Sequence, residues 1–160
     1  MSEKRSEWMG KYIALVGKEF PNAVNSLWAV LRQERFEPEE LYIVFEEESG
    51  KTESLKDDLE QVLKNYDLDC SVESYILDEM KDVRQMIDGH TDDEKNTVAL
   101  DISAASKLRT AEVLIDKGCD LFDHIFYLEI SGSERSFPLP TIEKNKLNLK
   151  DLRNELTEVR

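Results

Sequence analysis

The chain has 160 residues, 40% of them hydrophobic, which suits one compact domain around one apolar core. Its 35 acidic and 21 basic side chains give a formal charge of −14, which excludes general attraction to DNA, RNA or anionic membrane, because that needs clustered Lys and Arg. No run approaches the roughly 20 apolar residues of a membrane span, and Met1 to Gly10 lacks the apolar stretch of a signal peptide, so a cytoplasmic protein is expected. Cys70 and Cys119 are far apart, with no CxxC, and suggest neither a disulfide framework nor a thiolate zinc site.

After a polar leader over residues 1–11, Tyr12 to Val16 is a short apolar run ending at Gly17, the pattern of a buried strand followed by a turn. Beyond Pro21, the residues Val24, Leu27, Trp28 and Leu31 recur at offsets of three and four and predict a helix with one apolar face. Leu41 to Phe45 repeats the strand pattern, and Leu55, Leu59, Val62, Leu63 and Tyr66 repeat the helical one. Ser71 to Leu77 reads as a third strand, and Met80, Val83 and Ile87 as a shorter helix closed by Gly89. A polar loop over Asp88 to Asn96 leads to Thr97 to Ile102, the strongest candidate for a central strand. Ala104, Leu108, Ala111 and Ile115 then align on a predicted helical face ending at Gly118, and Phe122 to Ile130 supplies a fifth strand.

Phe137 to Ile142 predicts an extended edge segment, and Leu149, Leu152 and Leu156 predict a last helix over residues 143–160. Alternating strands and helices imply an α/β, Rossmann-like domain over residues 12–142: three layers with a mainly parallel central sheet of about five or six strands. In such folds ligands gather beyond the carboxyl ends of the strands, where loops enter helix N-termini. Two loops qualify. One, after the first strand, carries Gly17, Lys18, Asn22, Asn25 and Ser26; the other, after the central strand, carries Asp101, Ser103, Ala104, Ala105, Ser106, Lys107 and Arg109. Each also has a plainer reading, since Asn22 and Ser103 are good helix caps and the lysines suit a solvated face. The second loop lacks the glycines and spacing of a P-loop.

The run DISAASKLR at Asp101 to Arg109, following an apolar strand, resembles the Asp-x-[Ser/Thr]-Gly-Gly-Thr-Lys pattern of CARF domains, the CRISPR-associated Rossmann-like sensors of cyclic oligoadenylates. The resemblance extends over Tyr12 to Ile142, taking in Gly17, Asn25, Ser26, FDHIFYLEI and the PLP segment; Ala104 and Ala105 stand where the family has glycines, and Ser106 where Thr is common. It implies a homodimer that binds cyclic tetra- or hexa-adenylate across a two-fold axis in a type III CRISPR antiviral response. Gly17, Lys18, Asn25, Ser26, Ser103, Ala104, Ala105, Ser106, Lys107 and Arg109 would line that site, without metal or cofactor. Thr141 to Arg160 leaves no room for an effector domain, and stand-alone members of the family include ring nucleases. Such an enzyme is a hydrolase in which a ribose 2′-hydroxyl attacks the adjacent phosphate, with Lys107, Ser106 and Ser26 as the catalytic candidates. The alternative is a non-catalytic sensor or adaptor that binds the same ligand and signals to a partner. A third is a Rossmann-like domain for an unrelated nucleotide.

Other constellations are weaker. Arg84 and His90 fit the Arg-x5-His spacing of HEPN ribonucleases but span the end of a short crossover helix. Asp88, His90, Asp92 and Asp93 read as an acidic loop rather than metal ligands, His124 as a half-buried strand residue, and Glu46 to Glu48 as a soluble strand end.

Overall fold

A computed structural model of the chain describes residues 9–17, 20–47, 50, 52–76, 97–114, 122–130 and 147–153. In chain order the elements are β1 (Met9–Val16), α1 (Phe20–Arg32), β2 (Glu37–Phe45), α2 (Thr52–Asn65), β3 (Ser71–Ile76), β4 (Thr97–Asp101), α3 (Lys107–Leu114), β5 (His124–Ile130) and β6 (Leu147–Asp151). The strands form one six-stranded sheet in the order β3-β2-β1-β4-β5-β6. All neighbours pair parallel except β5 and β6. This is the α/β, Rossmann-like three-layer architecture that the alternating pattern requires.

Buried strands are apolar on both faces because each face packs a layer of helix. Tyr12, Ala14, Val16, Leu41, Ile43, Phe45 and Phe126 point to one face, where Ala23, Leu27 and Val30 of α1 and Leu55, Leu59 and Leu63 of α2 cover them. Ile13, Leu15, Val44, Val98, Leu100 and Ile125 point to the other, with Val113 of α3 and Phe122. The apolar stripe of α1 is turned slightly from the predicted one: Leu27 and Leu31 are buried as expected, while Val24 and Trp28 lie at its margin.

The first two helices stop by the same device. Glu34 (φ 52°) and Asp67 (φ 56°) take left-handed backbone conformations. The amides of Arg35 and Leu68 then reach back to the carbonyls of Val30 and Leu63 at 2.9 and 3.1 Å, satisfying helix-end acceptors in Schellman fashion.

Two expectations are corrected. Helix α3 begins at Lys107, so Ala104 lies in the preceding turn; Leu108 is 67% exposed, Ala111 is exposed, and the buried residue is Val113. Leu147–Asp151 is an antiparallel edge strand and not part of a helix, with Leu149 buried against the core. Its alternation of Leu147, Leu149 and Asp151 with Asn148 and Lys150 has the two-residue period of a strand, which the leucine spacing on to Leu156 had masked. The third strand is described from Ser71 to Ile76, as expected, and Leu77 lies outside the described residues. The expected helix at Met80 to Ile87, the Arg84 to His90 motif, the acidic loop, Cys119 and the extended Phe137 to Ile142 segment lie outside the described residues.

Close packing of β1 on β4 leaves no room at Gly10. A Cβ there would sit 2.1 Å from the Thr97 carbonyl oxygen and 2.6 Å from its Oγ1. Backbone cannot swing aside, so Gly10→Ala is expected to destabilise by about 1–3 kcal/mol. Gly50→Ala meets nothing within 4 Å and should move stability by less than about 0.5 kcal/mol. Urea midpoints of the two variants compare them directly; equal midpoints would place the β1–β4 contact wrongly.

Candidate functional site

Strands β1 and β4 are adjacent and parallel, but the chain leaves β1 for α1 on one face and β4 for α3 on the other. The loops therefore diverge at the carboxyl ends of these two strands, the topological switch point at which open α/β sheets take ligands. An open cleft of about 1290 Å³ lies there, lined by Gly17, Asn22, Glu46, Glu47, residues 102–111 and Tyr127 to Glu129.

Beneath the cleft is a buried polar node centred on Asp101, the last residue of β4. Its Oδ2 accepts hydrogen bonds from the Tyr12 hydroxyl at 2.9 Å and from the Ser26 hydroxyl, and its Oδ1 accepts from the Ser103 amide at 2.9 Å. Tyr12 and Ser26 are fully buried and Asp101 almost so. Burial pushes the Asp101 carboxyl above its ordinary value, against the opposing pull of the hydrogen bonds from Ser103 and Ser26. Burial, and then the neighbouring Asp101 charge, push the Tyr12 phenol well above 10, so it stays a donor. The Ser103 hydroxyl accepts from the Leu128 amide at 2.9 Å, extending the β4–β5 link one step past the last paired residues. Asp101 thus holds three segments together: the middle of α1, the β4 loop and β1.

Above this node the loops meet. The Gly17 amide donates to the Ala104 carbonyl at 2.8 Å, and the Asn22 side-chain amide approaches the Ser103 carbonyl at 3.5 Å. Ser106 is the N-cap of α3: its Oγ accepts from the Arg109 amide at 3.2 Å, and its carbonyl accepts from the Thr110 amide at 3.0 Å. The Glu46 carboxylate accepts from the Ser106 amide at 2.7 Å and from its hydroxyl. A carboxylate at that helix terminus faces the positive end of the dipole.

The residues singled out by sequence divide into three groups. Gly17, Ser103, Ala104, Ala105, Ser106, Lys107 and Arg109 all line the cleft. Ser106 and Lys107 are exposed, whereas Ser103 and Ala104 are buried in its floor and Ala105 is half-buried. Arg109 is held by Glu112 at 2.8 Å. Asn25 and Ser26 are buried under the cleft, at 1% and 0% exposure, so Ser26 supports Asp101 and does not reach a bound molecule. Lys18 lies outside the described residues. His124, at the amino end of β5 and away from the cleft, is half-buried as expected, its Nδ1 2.7 Å from Asp151 and its ring stacked on Phe126 at 5.4 Å.

Sequence reading missed Glu46 and Tyr127. Glu46 follows the last apolar residue of β2 directly, at the same sheet end as Gly17 and Asp101, and that position was the available signal. Tyr127 alternates outward in β5 and is 38% exposed on the cleft wall. Among the described residues, no group of three His, Cys, Asp or Glu side chains could hold a metal ion, and no helix is long and apolar enough to cross a membrane. No family model matches the chain, and no curated protein matches it either.

Proposed function

We propose that the cleft binds a phosphate-bearing nucleotide, and that the ligand is a cyclic oligoadenylate taken up by a cytoplasmic, CARF-like homodimer in a type III CRISPR response. The observation that carries this reading is the meeting of the Gly17 loop and the Asp101–Arg109 loop at the β1/β4 switch point. The exposed cap Ser106, the exposed cation Lys107 and the aromatic face of Tyr127 give a nucleotide a polar rim and a stacking surface. Opposed to the net charge of −14, this attraction is local: beyond about 8 Å the remaining acids are largely screened at physiological salt.

Incubating the full chain with labelled cyclic tetra- and hexa-adenylate in the presence of EDTA tests the reading. Retention of either ring supports binding, and its conversion to linear products ending in 2′,3′-cyclic phosphate supports ring-nuclease activity over the sensor alternative. Failure to retain either ring removes the ligand assignment. Lys107→Ala is expected to weaken binding about tenfold or more, the worth of one charge-assisted phosphate contact. Lys64→Ala makes the same charge change at an exposed position at the far end of α2 and is expected to leave binding nearly unchanged. Titration calorimetry compares them, and equal losses would sink the assigned cleft.

A further inference from the structure

We propose that Glu46 is a displaceable strap across the cleft, a carboxylate that occupies the anion position at Ser106 until a ligand phosphate replaces it. The inference rests on the reading that the cleft takes a phosphate-bearing ligand. Strand order supplies the geometry. Glu46 leaves β2, and its amide is still fixed to the Val16 carbonyl at 2.9 Å. Its side chain passes over the end of β1 and lands beyond β4, on the Ser106 amide at 2.7 Å and on the Ser106 hydroxyl. It therefore spans the crevice between β1 and β4, where a ligand would enter.

The passage exists because residue 17 has no side chain. A Cβ on Gly17 would come 2.7 Å from Glu46 Oε2 and 3.3 Å from its Cδ. The contacts at the far end are solvent-exposed, unlike the buried bonds around Asp101. Exposed bonds to a long side chain exchange readily with water or with a competing anion, whereas the buried floor cannot rearrange without unpairing several groups. The strap is therefore the movable part and the Asp101 node the fixed part. A weak monoanion gains little by displacing a carboxylate, so the strap also favours ligands whose phosphate brings more charge and more acceptor oxygens.

Full-length ¹⁵N-labelled protein, titrated with inorganic phosphate and separately with cyclic tetra-adenylate while the Ser106 amide shift is followed, tests this. Glu46→Ala is expected to bind phosphate about tenfold more tightly than wild type, as loss of one competing charge-assisted contact implies. Glu39→Ala removes the same charge at an exposed position of β2 outside the cleft and is expected to match wild type. Gly17→Ala leaves the charge in place but forces the carboxylate aside, and should shift affinity in the same direction as Glu46→Ala. Phosphate affinity that is equal in wild type and Glu46→Ala, or no response of Ser106 in either, overturns the strap. Equal binding of cyclic tetra-adenylate to both proteins also overturns it, while leaving the ligand reading intact. If phosphate shows the strap and cyclic tetra-adenylate binds neither protein, the strap stands and the ligand reading falls.

Discussion

Asp101→Ala is expected to lower stability by about 3 kcal/mol or more. The substitution leaves the Tyr12 hydroxyl and the Ser103 amide buried without their acceptor, at about 1–3 kcal/mol each. The Ser26 hydroxyl loses less, because the Ala23 carbonyl lies 3.2 Å away as a second acceptor. Asp101→Asn keeps the size and one carbonyl acceptor, so it is expected to cost about half as much.

The pH dependence separates burial from hydrogen bonding as the dominant influence on this carboxyl. Its folded pKa is raised by burial, so the stability it contributes is fully present below the ordinary carboxylate value near 4 and is lost as pH rises through the raised value. Asparagine does not titrate. The stability gap between wild type and Asp101→Asn should therefore be widest at about pH 4 and narrower at about pH 7. Urea unfolding of both proteins across that range gives the result, and a gap that widens with pH would mean that the three donors outweigh desolvation.

The same residue shows what a sequence can and cannot carry. Tyr12 to Val16, Leu41 to Phe45 and Thr97 to Ile102 were legible as strands because a strand covered on both faces must be apolar almost throughout. That the loops after the first and the central strand carry the cleft followed from the rule that ligands gather at the carboxyl ends of strands, and with it seven of the ten expected ligand residues on the cleft wall or floor; the adjacency of β1 and β4 came only with the sheet order. What one-dimensional reading lacked was depth. Ser26 and Ser106 are the same letter in two segments that both read as loops entering helices, yet one lies inside α1 and backs a buried carboxylate while the other caps α3 in the open. Glu46 was lost for the converse reason, since an acid after a strand reads as solvation unless one knows that the neighbouring strand is followed by a glycine. The edge strand at Leu147–Asp151 was missed because leucines three and four apart mimic a helix when a strand is only five residues long.

Any ring cleavage by this chain is expected to proceed in EDTA and to stop on a ligand whose 2′-hydroxyls are replaced by hydrogen or methoxy, with binding largely retained. In the expected step the ribose 2′-oxygen attacks phosphorus, the bond from phosphorus to the 5′-oxygen breaks, and the proton lost from the 2′-oxygen is regained at the 5′-oxygen. The products are a 2′,3′-cyclic phosphate and a 5′-hydroxyl. The protein needs only to hold attacking and leaving oxygens in line and to offset charge on the phosphoryl oxygens. In the proposed reaction Lys107 would serve the second task and the Ser106 hydroxyl, once Glu46 is displaced, would orient the phosphate, both residues lining the cleft; Ser26, buried beneath Asp101, takes no direct part. Three carboxylates near the cleft are held by protein donors: Asp101 by Tyr12, Ser26 and Ser103, Glu46 by Ser106, and Glu129 by Lys150 at 3.0 Å. A pair of metal ions would need several of these freed and turned to one point. Comparing single-turnover cleavage and equilibrium binding of the native and 2′-substituted rings separates chemistry from recognition, because only the former depends on the nucleophile. Cleavage that requires added magnesium or manganese, or that persists on the 2′-deoxy ring, would show that an activated water attacks and that the groups performing the chemistry lie elsewhere than Ser106 and Lys107.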